Sequence, residues 1–454
     1  MPLFLHFRST PVKPVRPLST IGMGSLLMLL ALVATIFSST YAAGHTSSIF
    51  EIAANVTAPW YHAGNAVAAG VLELYIVLRQ SSAHEFEKHV LDIATPGHTH
   101  YGRFMSREDI KEYLQPPKAA LQTIEGWLQE NGVLPNEHYE GIAHNLRQND
   151  RYHMLHNADV VNLRVNVSKA EELFDTEFYH FMNVEGQMIT RALHYSLPGD
   201  LHQHVQTVMP IIRFPATVPQ IKVIMEEDEV PDAPPDFGYD PEYCNRTIVP
   251  SCIQGLYQLN NFTAPFNTGT MIGISGFLNQ TADVDSLHSF IATYAPYFPQ
   301  VFPTLVTTDG SILRDPHQFS SYYTSETSID LEYSSSIAPG IPVTFYSTDG
   351  LAEGIRDLDQ PNNVLNEPYL TQLMYLLSLP DDKLPTVLST SYGENEQTVP
   401  YSYANVTCNL FAQLGARGVS VIFAAGDSGP GSACQRNDGT NTTRFNPIFP
   451  ASCP

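Results

Sequence analysis

The sequence predicts two successive α/β units: a ferredoxin-like segment over about residues 60–215, and a doubly wound parallel sheet from residue 241 to residue 454. Three observations carry this reading. Apolar strand patterns alternate with helical spacings in both halves. The strands of the second half are unbroken in hydrophobicity, as in a parallel sheet covered on both faces. Between the halves, at residues 216–240, lies an extended linker: Glu226, Glu227, Asp228 and Glu229 are followed by Pro231, Pro234 and Pro235. Clustered like charge and proline keep such a stretch exposed, as a processing protease requires.

In the first unit, Leu74 to Leu78 reads as a strand, and Phe86, Val90 and Leu91 follow at helical spacing. Ser106 with Asp109 forms a capping box that opens a short helix ended by Pro116 and Pro117. Leu121, Ile124 and Leu128 mark another helix, stopped at Asn131-Gly132. Val161, Leu163, Val165 and Val167 alternate with polar residues, which predicts a half-buried strand, and Ser168 with Glu171 predicts a second capping box.

In the second unit, strands are expected at Met271 to Phe277, Val343 to Tyr346, Pro385 to Ser391 and Val419 to Ala425. Helices are expected near Leu287 to Tyr294, at Leu370 to Leu377, and ending over Leu410 to Ala416 with Gly418 as the stop. The last strand runs into Gly426-Asp427-Ser428-Gly429. Sites in parallel α/β sheets gather at the C-terminal ends of strands, which is where Asp427 falls.

Composition narrows the class. Hydrophobic content of 43 % with 15 % charged residues is that of a folded chain, and the net charge of −23 argues against nucleic acid as a partner. Residues 1–43 carry a secretory signal pattern. Arg8, Lys13 and Arg16 precede the uncharged run Ile21 to Phe37, and small residues follow up to Gly44. The alternative is an uncleaved anchor. Seven N-x-S/T triplets, at Asn55, Asn166, Asn245, Asn261, Asn279, Asn405 and Asn441, agree with secretion. Five cysteines in an oxidising compartment leave one without an internal partner; Cys244 and Cys252 are the expected local disulfide.

The candidate chemistry rests on carboxylates. Glu326 and Asp330 stand i,i+4 on an expected helix ending at Pro339-Gly340, with Ile329, Tyr333 and Ile337 as its expected buried stripe. On one face, one turn apart, a buried pair would share protons; the bland alternative is a solvated helix face. Asp427 in its glycine-rich turn is either a turn residue or a proton donor toward an oxyanion. Gly426 to Gly429 also resembles the nucleophile loop of trypsin-like proteases, but no A-A-H-C histidine or antiparallel barrel accompanies Ser428. Fifteen of the 17 histidines precede residue 215. The pairs His98/His100 and His202/His204 lack a completing Cys or carboxylate cluster, so solvated histidines are expected and no metal site is assigned to the chain.

Several stretches, in order, resemble the sedolisins, the serine-carboxyl peptidases that include tripeptidyl peptidase. Glu85 to Pro96 (E-F-E-K-H-V-L-D-I-A-T-P) and the Y-G-R-F-M-S-R-E-D-I run resemble their activation propeptide. Cys244 to Tyr257 resembles the mature N-terminus, and Glu326-Thr-Ser-Ile-Asp330 the E-x-x-x-D catalytic helix. Ser389 to Gly393 resembles the strand beside the substrate cleft, Ala425 to Gly429 the oxyanion loop, and Phe449 to Ser452 the segment after it. The resemblance runs from about residue 60 to the last residue. It implies a propeptide over 60–215 and a subtilisin-like fold over 241–454. Glu326 would be general base, Asp330 would hold and tune it, and Asp427 would stabilise the oxyanion. Ser391, Tyr392 and Gly393 would line the substrate. An acidic optimum follows, since a histidine base would have to be His288 or His317.

The family's nucleophile lies in a G-T-S-x-S-x-P motif, and its calcium site lies later still; neither is expected before Pro454. The sheet is therefore expected to be incomplete and the chain alone inactive. A rival expectation is a non-catalytic homologue that binds peptides or inhibits relatives; another is a histidine-rich metal binder. Charging of the propeptide histidines is expected to loosen the propeptide in acid. Peptides and the chain's own propeptide are the expected partners, and secretion the expected fate.

Overall fold

The computed structural model describes residues 47–53, 56, 60–133, 152–155, 159–183, 186–214, 240–259, 262, 268–278, 280–296, 302–308, 322–350, 352, 354–355, 357–359, 367–427, 429, 434–440 and 442–454. The signal pattern, the 216–239 stretch, Ser428, His317, Asn55, Asn261, Asn279 and Asn441 lie outside them.

The first layer comprises β1 (Ser47–Ile52), β2 (Tyr61–Asn65), β3 (Val71–Leu78), α1 (Ala83–Ala94), α2 (Arg107–Leu114), α3 (Lys118–Glu130), β4 (Tyr152–Leu155) and β5 (Val160–Asn166). It continues through α4 (Val167–Phe174), β6 (Tyr179–Met182), β7 (Met188–Arg191), β8 (His194–Pro198) and β9 (Val205–Met209). Its main sheet has the order β4-β5-β3-β9, antiparallel throughout. One face packs Leu74, Ile76, Val161 and Leu163 against Ile124 and Leu128 of α3 and Leu173 of α4. Strand β5 departs from the half-buried expectation: Val160 and Asn162, on its other face, are buried as well. Asn162 donates to Glu73 Oε1 at 2.7 Å. The reason is tertiary, because that face meets the second layer.

The Ser106–Asp109 capping box forms as expected. The second one does not. Asn166, the last residue of β5, caps α4 by accepting from Lys169 N at 2.8 Å, and Glu171 accepts instead from Phe178 N. The strand passes straight into the helix, so its final side chain takes the capping position that Ser168 would have needed.

The second layer comprises α5 (Pro241–Cys244), α6 (Pro250–Leu256), β10 (Ile272–Gly276), α7 (Val284–Tyr294), β11 (Thr304–Thr307), α8 (Tyr322–Ile337) and β12 (Val343–Ser347). It ends with α9 (Tyr369–Ser378), β13 (Val387–Thr390), β14 (Glu394–Asn395), α10 (Tyr401–Ala416), β15 (Ser420–Phe423) and β16 (Ile448–Phe449). Five strands run parallel in the order β11-β12-β10-β13-β15. Helices α7 and α8 cover one face through Leu287, Ile291 and Leu331. Helices α9 and α10 cover the other through Leu373, Leu376, Leu410 and Leu414. This is the two-sided winding expected. Strand β15 ends the sheet among the described residues, and its Ile422 is 55 % exposed rather than enclosed.

Helix α8 overturns the expected stripe. Ile329 is 53 % exposed, whereas Thr327, Leu331, Ser335 and Ser336 are buried. The face that meets the sheet is small and polar, so apolar spacing pointed to the wrong side. The Cys244–Cys252 disulfide forms as expected, and a second joins Cys408 to Cys453.

The two layers are pressed together along α10. Val77, Val160 and Met209 of the first sheet share a core with Tyr369, Leu373 and Phe411. Gln80 and Asn409 exchange amide hydrogen bonds, Arg213 donates to Ser402 Oγ at 2.6 Å, and Met105 N donates to Ala416 O at 2.8 Å. Three sequon asparagines are described and exposed: Asn166, Asn245 and Asn405. Asn405 lies in this seam, accepting from Gln206 Nε2 at 2.8 Å. The imidazoles of His62, His89, His98, His100, His180 and His202 make their hydrogen bonds and ring contacts within the first layer. No direct route from their charge to the seam is therefore visible among these contacts.

Gly418 ends α10 at φ +92°, and a Cβ there would stand 2.9 Å from the Phe104 ring. Gly418→Val is expected to destabilise by about 2–3 kcal/mol through backbone strain and overpacking, read as a lower urea midpoint at unchanged slope.

Candidate active site

Helix α8 carries Glu326 and Asp330 one turn apart, on the flank next to its buried Thr327 and Leu331. Both carboxylates are half-buried. Ser391, the first residue after β13, donates its hydroxyl to Asp330 Oδ1 at 2.7 Å. A hydrogen bond thus links the helix to the C-terminal end of a central strand. Burial pushes Glu326 up to about 7, helped by the charges of Asp330 and Asp427 and opposed by the Ser391 hydroxyl. Burial pushes Asp330 up to about 6 against the same hydroxyl. The solvated-face alternative therefore does not describe this helix: the pair is drawn out of water and shares one donor.

Asp427 stands exposed in the turn after β15, close enough for its charge to raise Glu326. The turn is shaped by Gly426 and Gly429, at φ +82° and +58°. Strand β16 braces it from the side: antiparallel β14–β16 pairing brings Ile448 next to Gly426 and Gly393. A Cβ on Gly393 would lie 2.7 Å from Ile448 and 2.9 Å from Phe449 O, so only glycine fits where these strands meet.

Of the three residues expected to line the substrate, Ser391 and Gly393 are accessible, while Tyr392 is turned inward. Its ring meets Phe277 edge-on at 5.3 Å, and burial raises its hydroxyl well above the ordinary tyrosine range. A polar network beneath the strand ends escaped the sequence reading. Ser275 bonds Gln372 and Thr390, and Gln372 donates to Tyr346 O and Thr348 Oγ1. Behind Tyr392 lie two further buried carboxylates, Glu367 and Glu394, both pushed up by burial. Single Ser and Thr residues in or beside apolar strands, and a single Gln in an apolar helix, carry no signal of such a network. The ring of His288 packs on Phe302 at 4.6 Å.

Chemically, the site offers two carboxyls that hold and exchange protons in the weakly acidic range, with a third acid nearby. It contains no imidazole among the described residues.

The raised carboxyls fix the sign of the pH dependence of stability. Glu326, Asp330 and Glu332, the last also pushed to about 7 by burial, bind protons more tightly folded than unfolded. Their protonation therefore favours the native state, and stability falls as pH rises from about 4 to about 7. Thermal unfolding between pH 4 and pH 8 is expected to show this decline, flattened in a Glu326→Gln/Asp330→Asn double variant.

The model of the pro-kumamolisin activation domain matches residues 58–214. The chain is 39 % identical over 416 residues to the probable tripeptidyl-peptidase SED4 of Trichophyton verrucosum, covering 90 % of this chain and 65 % of that protein. It is 37 % identical over 436 residues to the tripeptidyl-peptidase SED4 of Arthroderma otae, covering 95 % and 68 %. The chain thus spans about two thirds of the length of these relatives. Pseudomonas sedolisin complexed with two molecules of pseudo-iodotyrostatin is a structural match at 17 % identity and a TM-score of 0.31, covering 45 % of this chain and 51 % of that one. The propeptide match and the long alignments to fungal tripeptidyl-peptidases place this chain in the sedolisin family of serine-carboxyl peptidases.

Proposed function

We propose that this chain carries the propeptide and the acid–base half of a secreted, acid-acting peptidase that removes tripeptides from, or cuts within, peptide chains. The observation that carries the reading is the half-buried Glu326–Asp330 pair bonded through Ser391 to a central strand end, with Asp427 beside it. In this mechanism Glu326 takes the proton of a serine nucleophile as that serine attacks the scissile carbonyl, and later returns it to the leaving amine. Asp330 positions Glu326 and tunes its proton. Asp427 gives a hydrogen bond to the developing oxyanion. Ser391 and Gly393 line the peptide. The first layer is a ferredoxin-like activation propeptide, the second a subtilisin-like sheet, and the propeptide is held on α10 until the 216–240 stretch is cut.

The serine belongs to a G-T-S-x-S-x-P motif that none of the 454 residues forms. The 454-residue polypeptide assayed alone is therefore proposed to bind peptide without cleaving it, and binding or inhibition is its second reading. Two disulfides support an oxidising, secretory compartment. No helix among the described residues is long and apolar enough to cross a membrane. The sequon asparagines Asn166, Asn245 and Asn405 are exposed, although Asn166 and Asn405 also accept from Lys169 N and Gln206 Nε2.

The test is the product of the full transcript, activated in acid and assayed on tripeptidyl fluorogenic substrates. Hydrolysis at weakly acidic pH is expected, with kcat reduced about 10²- to 10⁴-fold by Glu326→Gln and the pH profile displaced by Asp330→Asn. Full activity in Glu326→Gln would overturn the assignment.

A further inference from the structure

The fold completes a ligand set that the sequence left open. His98 and His100 stand in a turn after α1, with no carboxylate beside them in the sequence except through the helix itself. In the structure that turn folds back over the last turns of α1. His98 N donates to Thr95 O, Tyr101 N to His98 O, and Gly102 N reaches back to Ile93 O at 3.0 Å. Gly97 and Gly102, at φ +86° and +70°, permit the reversal. It brings His100 against His89 and Asp92, which are i,i+3 on one face of α1.

One ligand atom from each of His89, Asp92 and His100 lies within 4.8 Å of the others. All three residues are partly shielded from solvent. His100 Nδ1 is buried and has no hydrogen-bond partner, a polar atom for which the protein supplies no other use. His98 stands behind the set: its Nε2 is 3.6 Å from Asp92 Oδ1, and its Nδ1 accepts from His100 N at 3.3 Å. It is thus placed to orient the carboxylate. Tyr113 of α2 stacks on the His89 ring at 5.9 Å and limits its swing.

We propose that His89, Asp92 and His100 form a binding site for a divalent transition metal of the zinc class in the propeptide layer. Two imidazoles and one carboxylate suit zinc rather than calcium or magnesium. Ligands held at ~2.0–2.1 Å in a tetrahedron stand ~3.3 Å apart, so the three ligand atoms close to that spacing from within 4.8 Å, leaving a fourth position for water. The metal ties the turn to α1. Two residues beyond that turn, Phe104 packs over Gly418 and Met105 N bonds Ala416 O in the second layer. The ion therefore fastens the edge of the propeptide that grips α10. This site stands apart from the peptidase reading and does not depend on it.

The test uses the whole chain, without a histidine tag and freed of metal by chelator. Titration with zinc chloride is expected to show one saturable equivalent. Cobalt chloride is expected to give the intense visible bands of a four-coordinate ion. His100→Gln or Asp92→Asn should weaken zinc binding at least tenfold, while His84→Gln, on the same helix but with a side chain 91 % exposed, should leave it unchanged. Zinc should also slow hydrogen exchange at the amides of Gly102 and Met105 in the unmodified chain, a readout that needs no variant to fold. Absence of a saturable equivalent, equal affinity in a folded His100→Gln chain, or exchange at those amides indifferent to zinc would each overturn the proposal.

Discussion

Asp330 and Glu326 are kept half out of water while Ser391 donates to Asp330, and the arrangement of the second layer depends on holding that contact. The contact exists only if α8 lies against the sheet with its carboxylate flank turned toward the end of β13. Thr327, Ser335 and Ser336 make this possible, since small buried side chains let the helix approach closely. Gln254 Nε2 donates to Ser336 O, Tyr333 OH to Ile248 O, and Ser286 Oγ to Glu332 Oε1; these fix the helix from its other sides. The opposed effects of burial and the Ser391 hydroxyl leave the pair's proton affinity raised but within reach of weak acid, which general acid–base chemistry requires.

A second constraint joins the layers. The sheet face of β3, β5 and β9 that turns away from α3 and α4 is closed by α9 and α10, so Val77, Val160 and Met209 are buried only when both layers are in place. The first layer thus serves as the outer cover of α10 on the side away from the parallel sheet. The same helix is tied by Cys408–Cys453 to the segment near β16 that braces Gly393 and Gly426. Contact on one face of α10 and the turn that carries Asp427 are thereby joined through one helix.

Much of this was legible beforehand. Strands β10, β12 and β13 and helices α7, α9 and α10 of the second layer fall where unbroken apolar runs and helical spacing place them, whereas β11, β14 and β16 carried no such signal. The Ser106–Asp109 box and the Cys244–Cys252 pair are local, and local chemistry is readable. Glu326 and Asp330 were readable as a pair, since i,i+4 spacing on any helix sets them side by side. What misled was inference from hydrophobicity where the neighbour was unseen. Ile329 was expected inside and lies outside, and β5 was expected half-buried and is enclosed.

The sequence by itself determined the elements, the spacing of the acidic pair and the family pattern, because these depend on residues near one another along the chain. Only tertiary structure decided that Ser391 meets Asp330 across 61 positions, that Asn409 meets Gln80 across 329, and that His100 closes on His89 and Asp92. Such contacts depend on how sheets stack, how helices roll and how a turn reverses, and the partner's position is not encoded in the spacing of either residue alone.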